Sequence, residues 1–496
     1  MSHNKQIVIL DNGGFTAKIG VVSSTYDSLD KLIQTDPVSD LTNSGHLKGP
    51  SVIPNCVTKA KSESRRLAFV GDQIDEIFDK SSLFYQRPIQ RGYLVGWELQ
   101  RQVWDRLFNF VLRDKYDLKS SPMGPDTELV VTVPPLNFPF ITDSMNEIFF
   151  EEYGFGSVLQ ITPSTLSALR YSYESSLIKR RHKTESHNHN KCLVVDSGFS
   201  FTHVSHYDTN IDDSSVGKFS IARDDTRLRR LDVGGKLLTN YLKEIISYRQ
   251  LHVMEESYVI NQVKEDSCYV SQEFLKDMEA CQKYGNLPKN PLFREYVLPD
   301  FQRIKKGYIK PRSPAHSSGK GSVMANPALT PNSGNVFKGN INSSRNNNEE
   351  SRNGQSDKSV NDDDYFQTLY LSNERITVPE IIFNPSDIGI SQMGLPELML
   401  ESVADDQGYL DHVILTGGNT MFPGLDIRLI RELRTLTAFD KDVSLYVPKD
   451  PITYAWGGGA LLPIIFPEFY ASVKLDKRRY TEEGPDRAKN STIFFL

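Results

Sequence analysis

The sequence of 496 residues lacks any apolar run of the length a bilayer-spanning helix needs, about 20 residues. It lacks a cysteine framework: Cys56, Cys192, Cys268 and Cys281 stand far apart, with no CxxC pair and no histidine at ligand spacing. That pattern excludes a disulfide scaffold and a zinc site, and leaves four small, reduced, apolar residues. A basic excess is missing too. The 57 Lys and Arg face 63 Asp and Glu for a net charge of −6, so the chain as a whole is not expected to seek nucleic acid. The opening MSHNKQIVIL is too short and polar before its apolar segment to read as a signal peptide. The expectation is a soluble intracellular protein with no membrane partner.

What is present fits globular cores. At 56.2 kDa, with 38% hydrophobic and 10% aromatic residues, the chain suits two lobes better than one core. From Lys310 to Asp364 the composition shifts to Ser, Asn, Gly and Pro and ends in Asp362-Asp363-Asp364, which predicts a disordered insertion unable to offset its ordering entropy. A partner-binding segment is the functional alternative there. The stretch Lys179–Lys191 carries His182, His187 and His189, but its Lys and Arg neighbours favour a solvated insertion over a metal site. Ser23–Gly49 is a third polar stretch.

Elsewhere the pattern is α/β. The apolar runs Ile7–Leu10, Leu129–Val133, Leu193–Val195 and Val413–Leu415 end in Gly, Pro or Asp and read as buried strands. Leu94, Leu99, Val103, Leu107 and Val111, with Trp104 alongside, fall near one helix face, as do Leu237, Leu238, Tyr241, Leu242, Ile245 and Ile246. Strands alternating with helices predict layered α/β architecture.

Two segments repeat one unit. In Ile7–Gly20 and again in Cys192–Ser205 an apolar strand runs into Asp, a small polar residue and Gly, and then turns into a second strand. Glycine turns let backbone N–H groups approach phosphate oxygens, so a facing pair clamps a polyphosphate from both sides. Asp11 and Asp196 would hold a hydrated Mg²⁺, and Lys18 would reach the phosphates as a point charge. Either turn alone is an ordinary β-turn; the duplication carries the signal. A third segment, Val413–Gly424, places Gly417-Gly418 after a strand, where a flat base could approach, although a plain strand-to-helix connection needs the same residues.

Together these segments resemble the two phosphate loops and the adenosine loop of the actin superfamily, in that order. WELQRQVWDRLF (from Trp97), PPLNFP (from Pro134), DVGGKLLTNYL (from Asp232), VKEDSCYV (from Val263), NERITVPEIIFNPSDIGI (from Asn373) and PITYAWGGGALL (from Pro451) look like actin segments too. The wording SLFYQRPIQRGYLVGWELQRQVWD, YLKEIISYRQLHVM and VINQVKEDSCYVSQEF is most similar to the sixth class of actin-related proteins. The resemblance implies an α/β actin-like ATPase fold, a duplicated ribonuclease-H-like architecture with a nucleotide cleft. Its lobes would run 1–168 with 454–496 and 169–453, with 310–364 inserted in the second. It implies ATP or ADP with Mg²⁺ at Asp11, Asn12, Gly13, Gly14, Lys18, Asp196, Ser197, Gly198, Lys264, Glu265, Gly417, Gly418, Thr420 and Met421. It also implies a scaffold subunit of a nuclear Swr-type remodelling complex that exchanges a variant histone. The expected partners are the motor ATPase, a zinc-knuckle-type subunit, and nucleosomal DNA or histones.

The departures matter as much. Gly14 and Phe15 stand where actin has Ser and Gly, and Phe199 where it has a carboxylate near Mg²⁺. Pro163 aligns with the glutamine that orients the attacking water, with Gln160 three residues out of register, while His203 matches a retained water-positioning residue. Proline offers neither a side-chain donor nor a backbone N–H, so little or no hydrolysis is expected. Phe15 and Phe199 could also pack the cleft shut. An ATPase or sugar kinase on the same architecture remains the enzymatic alternative, and a filament-forming protein the cytoskeletal one. Trp97 and Trp104 read as core, and the mixed-charge Lys474–Asn490 as a solvated helix or tail, too weakly basic for DNA contact.

Overall fold

The structure is a computed structural model that describes residues 6–23, 48–59, 68–81, 83–116, 123–182, 189–211, 219–311, 335–336, 366–482 and 484. Two compact units divide the chain: Met1–Ile74, Phe84–Leu238 and Glu380–Leu496 form the first, Asp75–Leu83 and Thr239–Pro379 the second.

The first unit holds two sheets built to one plan. The strands of the first are β1 (Gln6–Asn12), β2 (Thr16–Ser23), β3 (Ser51–Pro54), β4 (Thr127–Thr132) and β5 (Ser157–Ile161). Those of the second are β6 (His189–Ser197), β7 (Thr202–Ile211), β8 (Phe219–Arg223), β9 (Arg229–Leu231), β10 (Val413–Thr416) and β11 (Leu445–Tyr446), with β9 beside β7; β12 (Leu475–Asp476) returns to the edge of the first. In the first sheet β3, β2 and β1 pair antiparallel and β1, β4 and β5 parallel. In the second, β8, β7 and β6 pair antiparallel and β6, β10 and β11 parallel. The hairpin repeat visible in the sequence is thus one corner of a repeat of whole sheets.

Strand periodicity explains the core. In β1, Ile7 and Ile9 join one buried cluster while Val8 and Leu10 join another, as alternation about a pleat requires when both faces are covered. The Val8 side meets the helix α1 (Trp97–Arg106), its π-helical continuation Leu107–Val111, and α2 (Pro139–Glu147) with the π turn after it. Trp104 is fully buried there and Trp97 packs against the same cluster. The Ile7 side meets α3 (Pro163–His182), and Cys192, Val194 and Ile414 of the second sheet join this cluster. A later helix, Tyr454–Ile465, is buried along its whole length, the mark of a helix apolar all round. Its Trp456 donates Nε1–H to the Ile9 carbonyl at 3.2 Å.

The second unit is organised around the helices α4 (Gly235–Arg249, from Thr239 onward) and α5 (Ser257–Ser267), and the helix Phe274–Tyr284. A three-stranded antiparallel sheet, in the order Tyr308–Ile309, Arg294–Val297, Thr368–Leu371, joins them. Buried Arg375 donates to the carbonyls of Ser267 (2.9 Å) and Leu292 (2.6 Å), tying the end of α5 to the turn before Arg294.

Several expectations need correction. Leu94 is buried but lies in a short strand, Tyr93–Leu94: the Val95 and Gly96 N–H groups bond to the Pro88 carbonyl, and the helix begins only at Trp97. The stretch 179–191 is not one loop, because α3 continues to His182 and β6 starts at His189; residues 183–188 lie outside the described residues. Lys474–Asn490 is anchored rather than solvated at its start, with Lys474 bound to Glu128 at 2.6 Å and Tyr480 stacked on Phe150. Of 310–364, only Lys310, Pro311 and Asn335–Val336 are described, and most of 23–49 is likewise outside. Among the described residues no helix is long and apolar enough to cross a membrane.

Candidate functional site

In each sheet the central strand carries an aspartate one residue before its end, beside a threonine of its parallel neighbour. Asp11 accepts from the Thr132 hydroxyl at 2.7 Å, and Asp196 pairs in register with Thr416. The two hairpins bring those strand ends together. Asp11 forms a 3.0 Å ion pair with Lys18, its cross-strand partner in the β1–β2 register. Burial, and then the Asp11 charge, push Asp196 up to about 6, against the pull of Lys18. Two carboxylates thus share one ammonium, a charge excess that suits a divalent cation held through water.

The hairpin tips are braced from below. Asn12 turns inward, where its amide oxygen accepts from Trp104 Nε1 at 3.4 Å and its Nδ2 donates to Gln100 at 3.4 Å. Asn55, fully buried, donates to the Gly13 carbonyl at 2.9 Å and exchanges hydrogen bonds with Gln100. The second tip is closed by a 2.8 Å contact between the Ser197 and Thr202 hydroxyls, and its Gly198 carbonyl accepts from Asn419 Nδ2 at 2.8 Å. Gly417 has φ +91°, and a Cβ there would sit 2.3 Å from the Ser197 carbonyl oxygen; only glycine allows this third loop to lie against the second. Gly418 faces open space, Thr420 is buried with its hydroxyl on the Gly417 carbonyl (2.7 Å), and Met421 is exposed.

The structure therefore brings together Asp11, Asn12, Gly13, Gly14, Lys18, Asp196, Ser197, Gly198, Gly417, Gly418 and Thr420, with Met421 at the rim. Lys264 and Glu265 belong to the second unit. On α5, buried Lys264 donates to Thr239 and Asn261, both at 3.0 Å, and Glu265 accepts from Asn261 at 2.8 Å. The sequence reading missed Thr132, Asn55, Gln100, Asn419 and Arg87. All but Asn419, which sits inside the segment Val413–Gly424 already singled out, reach the site across a long sequence separation with no local pattern to mark them.

At the position where the resemblance expects a water-orienting amide there is a proline, while the expected histidine stands in register with Asp196. Pro163 is the first residue of α3, where a missing N–H costs nothing, and the Thr162 hydroxyl accepts from Thr165 N–H at 3.3 Å to cap the turn. Gln160 points toward α2, with Nε2 on the Thr142 carbonyl and on Asn146, both at 2.8 Å. His203, facing Asp196 across the hairpin, has its pKa driven down to about 4 by burial and by Arg230, which keeps the ring neutral.

The Actin family profile matches residues 2–492. The chain belongs to the actin family. Among its relatives, Actin-related protein 6 of Drosophila melanogaster is 36% identical over 461 residues, covering 91% of this chain and 92% of the relative. The rice (Oryza sativa subsp. indica) protein of that name is 33% identical over 497 residues, 99% of each chain. The one from Arabidopsis thaliana is 32% identical over 495 residues, 97% of this chain and 98% of the relative. The duplicated sheets and paired hairpins are this actin-family chain's version of the actin-like α/β fold.

The charge pair gives a direct expectation. Replacing Asp196 with Asn removes a half-buried carboxylate that is repelled by Asp11. The ligand-free Asp196→Asn protein is expected to melt about one degree higher, the size of a roughly one-kcal/mol gain in a chain of this length, and to lose any stabilisation by Mg²⁺. Differential scanning calorimetry with and without Mg²⁺ checks both; an unchanged Mg²⁺ response would remove Asp196 from the cation site.

Proposed function

We propose that this actin-family chain is a scaffold subunit of a nuclear ATP-dependent chromatin-remodelling complex, one that exchanges a variant histone into nucleosomes and so affects transcription. It hydrolyses little or no ATP itself. Its partners in this reading are the motor ATPase, a zinc-knuckle-type subunit, and nucleosomal DNA or histones met through the complex. It resides in the nucleus, with a cytoplasmic pool. The class-specific sequence blocks and the full-length relatives named Actin-related protein 6 support the assignment.

One observation carries the loss of turnover. The position that should present a water-orienting amide is Pro163 at a capped helix start, and the nearby amide, Gln160, is committed to α2. Hydrolysis depends on a positioned water; Pro163 has no amide to hold one, and the Gln160 Nε2 is already bound to α2. The remaining residues suit retention of a ligand. Asp11 and Asp196 would hold Mg²⁺ through water, and the tips at Gly13, Gly14 and Ser197 would give backbone N–H groups to phosphates, whereas the Gly198 N–H, expected to do the same, is taken by the Phe201 carbonyl at 3.0 Å. Gly417, Gly418, Thr420 and Met421 would flank adenosine. Bound there, ATP or ADP acts as a structural cofactor. The lobes in this reading are 1–168 with 454–496 and 169–453, one hairpin in each, and 310–364 is an insertion in the second.

Affinity purification of the tagged full-length chain from nuclear extract should recover a megadalton-scale assembly containing a remodelling motor. A monomer confined to the cytoplasm would overturn the assignment. The enzymatic alternative draws on the retained Asp11, Lys18, Asp196 and His203. Phosphate release by the purified chain well above the rate of the Asp11→Asn variant would restore it.

A further inference from the structure

The tips of the two hairpins are joined by side chains that no water-positioning or cation role uses. The Phe15 and Phe199 rings, one from each tip, lie with centroids 5.0 Å apart. Against both lies Arg87, its Cζ 4.7 Å from the Phe15 centroid and 4.9 Å from that of Phe199. Its Nη1 donates to the Phe15 carbonyl at 3.3 Å, an oxygen that also accepts from Asn55 N–H at 2.9 Å. The segment carrying Arg87 is seated against both tips. A Cβ on Gly14 would lie 3.5 Å from Ile89 and 3.3 Å from Ser200, and one on Gly92 would meet the Phe201 ring at 3.1 Å. A guanidinium stacked on aromatic faces is held by ring quadrupole and dispersion together.

We propose that Arg87, clamped with Phe15 and Phe199, makes this a nucleoside-diphosphate site by filling the span between the tips that a third phosphate would occupy. The inference rests on the reading of the cleft as a nucleotide site. Two facing tips offer their N–H groups to a phosphate chain only where they remain open toward each other. Here the residues at the tips carry rings in mutual contact, and the cation beside them has its faces and an N–H committed. Charge points the same way. Lys18 is already paired with Asp11, so a further phosphate would have to draw on Arg87 and break the stack. The deeper part of the site, with Asp11, Lys18, Asp196 and Thr132, is left to the cation and the first two phosphates.

Affinities of Mg·ADP and Mg·ATP for the full-length chain, measured by calorimetric titration, test this in the native protein and in Arg87→Ala and Phe199→Leu. Native protein should prefer ADP by roughly tenfold or more. Each variant should keep its ADP affinity, which also shows that it is folded, and should bring ATP within about threefold of ADP. Equal affinities in the native protein, or weaker ATP binding in Arg87→Ala, would make Arg87 a phosphate ligand instead and overturn the proposal while leaving the site reading intact. Absence of binding by either nucleotide to native protein and variants alike would overturn the site reading, and this proposal with it.

Discussion

Gly458→Ala is expected to cost about 4 kcal/mol or to prevent folding outright. Gly458 lies within the fully buried helix Tyr454–Ile465, where alanine would ordinarily be the better helix former by about 1 kcal/mol. Tertiary packing reverses that preference. A Cβ at Gly458 would lie 2.1 Å from the Leu166 carbonyl oxygen and 2.7 Å from its carbon. Both are α3 backbone atoms with no rotamer to change, so the helices must separate. Separation would open the core that both share with β1 and β6, and close-packed interiors transmit such shifts. Gly459 is the internal comparison: a Cβ there meets the Ile9 side chain at 2.8 Å and Leu166 Cδ1 at 3.4 Å, with no foreign backbone in contact. Urea unfolding should show Gly459→Ala several kcal/mol milder than Gly458→Ala. Equal costs would mean that the helix pair does not pack through Gly458.

That contrast also marks the limit of what the sequence discloses. The run Ile7–Leu10 is legible as a strand because it is short, apolar and β-branched, and its alternation into two clusters follows once both faces are covered. The repeated Asp–x–Gly turn was legible because it occurs twice, and the duplicate sheets extend it. Leu94 was misassigned to the helix because its spacing suits a 3.6 period, whereas the local hydrogen bonds to Pro88 decide the chain path. The two-sided amide network of Asn12, Asn55 and Gln100 left no trace in periodicity. A buried Gln on a helix and an Asn after a strand look like surface residues until their partner is known. Arg87 was hidden for the same reason: a cation between aromatic residues in sequence reads as solvated, and only the tertiary fold sets it against Phe199. Local signals thus reported the elements and the turn chemistry, while the parts of the site set by long-range contact waited for the fold.

His206 should make the protein acid-labile well above the range where carboxylates titrate. Its ring sits on β7, fully buried, and neither nitrogen has a hydrogen-bond partner among the described residues. Tyr409 lies edge-on at 5.0 Å, and Arg227 and Arg229 face it along with Asp224. Burial first, then Arg227, drive its pKa down to about 4, with Asp224 opposing. Above pH 6.5 the ring is neutral in folded and unfolded chains and costs nothing through protonation. As pH falls from 6.5 toward 4 the unfolded chain takes up a proton that the folded chain refuses, so stability declines by about 1.4 kcal/mol per pH unit, roughly 3 kcal/mol in all. His203 acts in the same direction, and Asp196, raised to about 6, acts oppositely below that pH. The effect of His206 is therefore read as a difference between proteins. His206→Leu removes two unpaired buried polar atoms at similar volume and should be at least as stable as the native chain at pH 7.5. In urea titrations from pH 7.5 to 4.5 the gap should widen in favour of the variant by roughly 2 kcal/mol. Parallel stability curves over that range would show that the folded protein protonates His206 as readily as the unfolded chain does, and that the ring is not sealed from water.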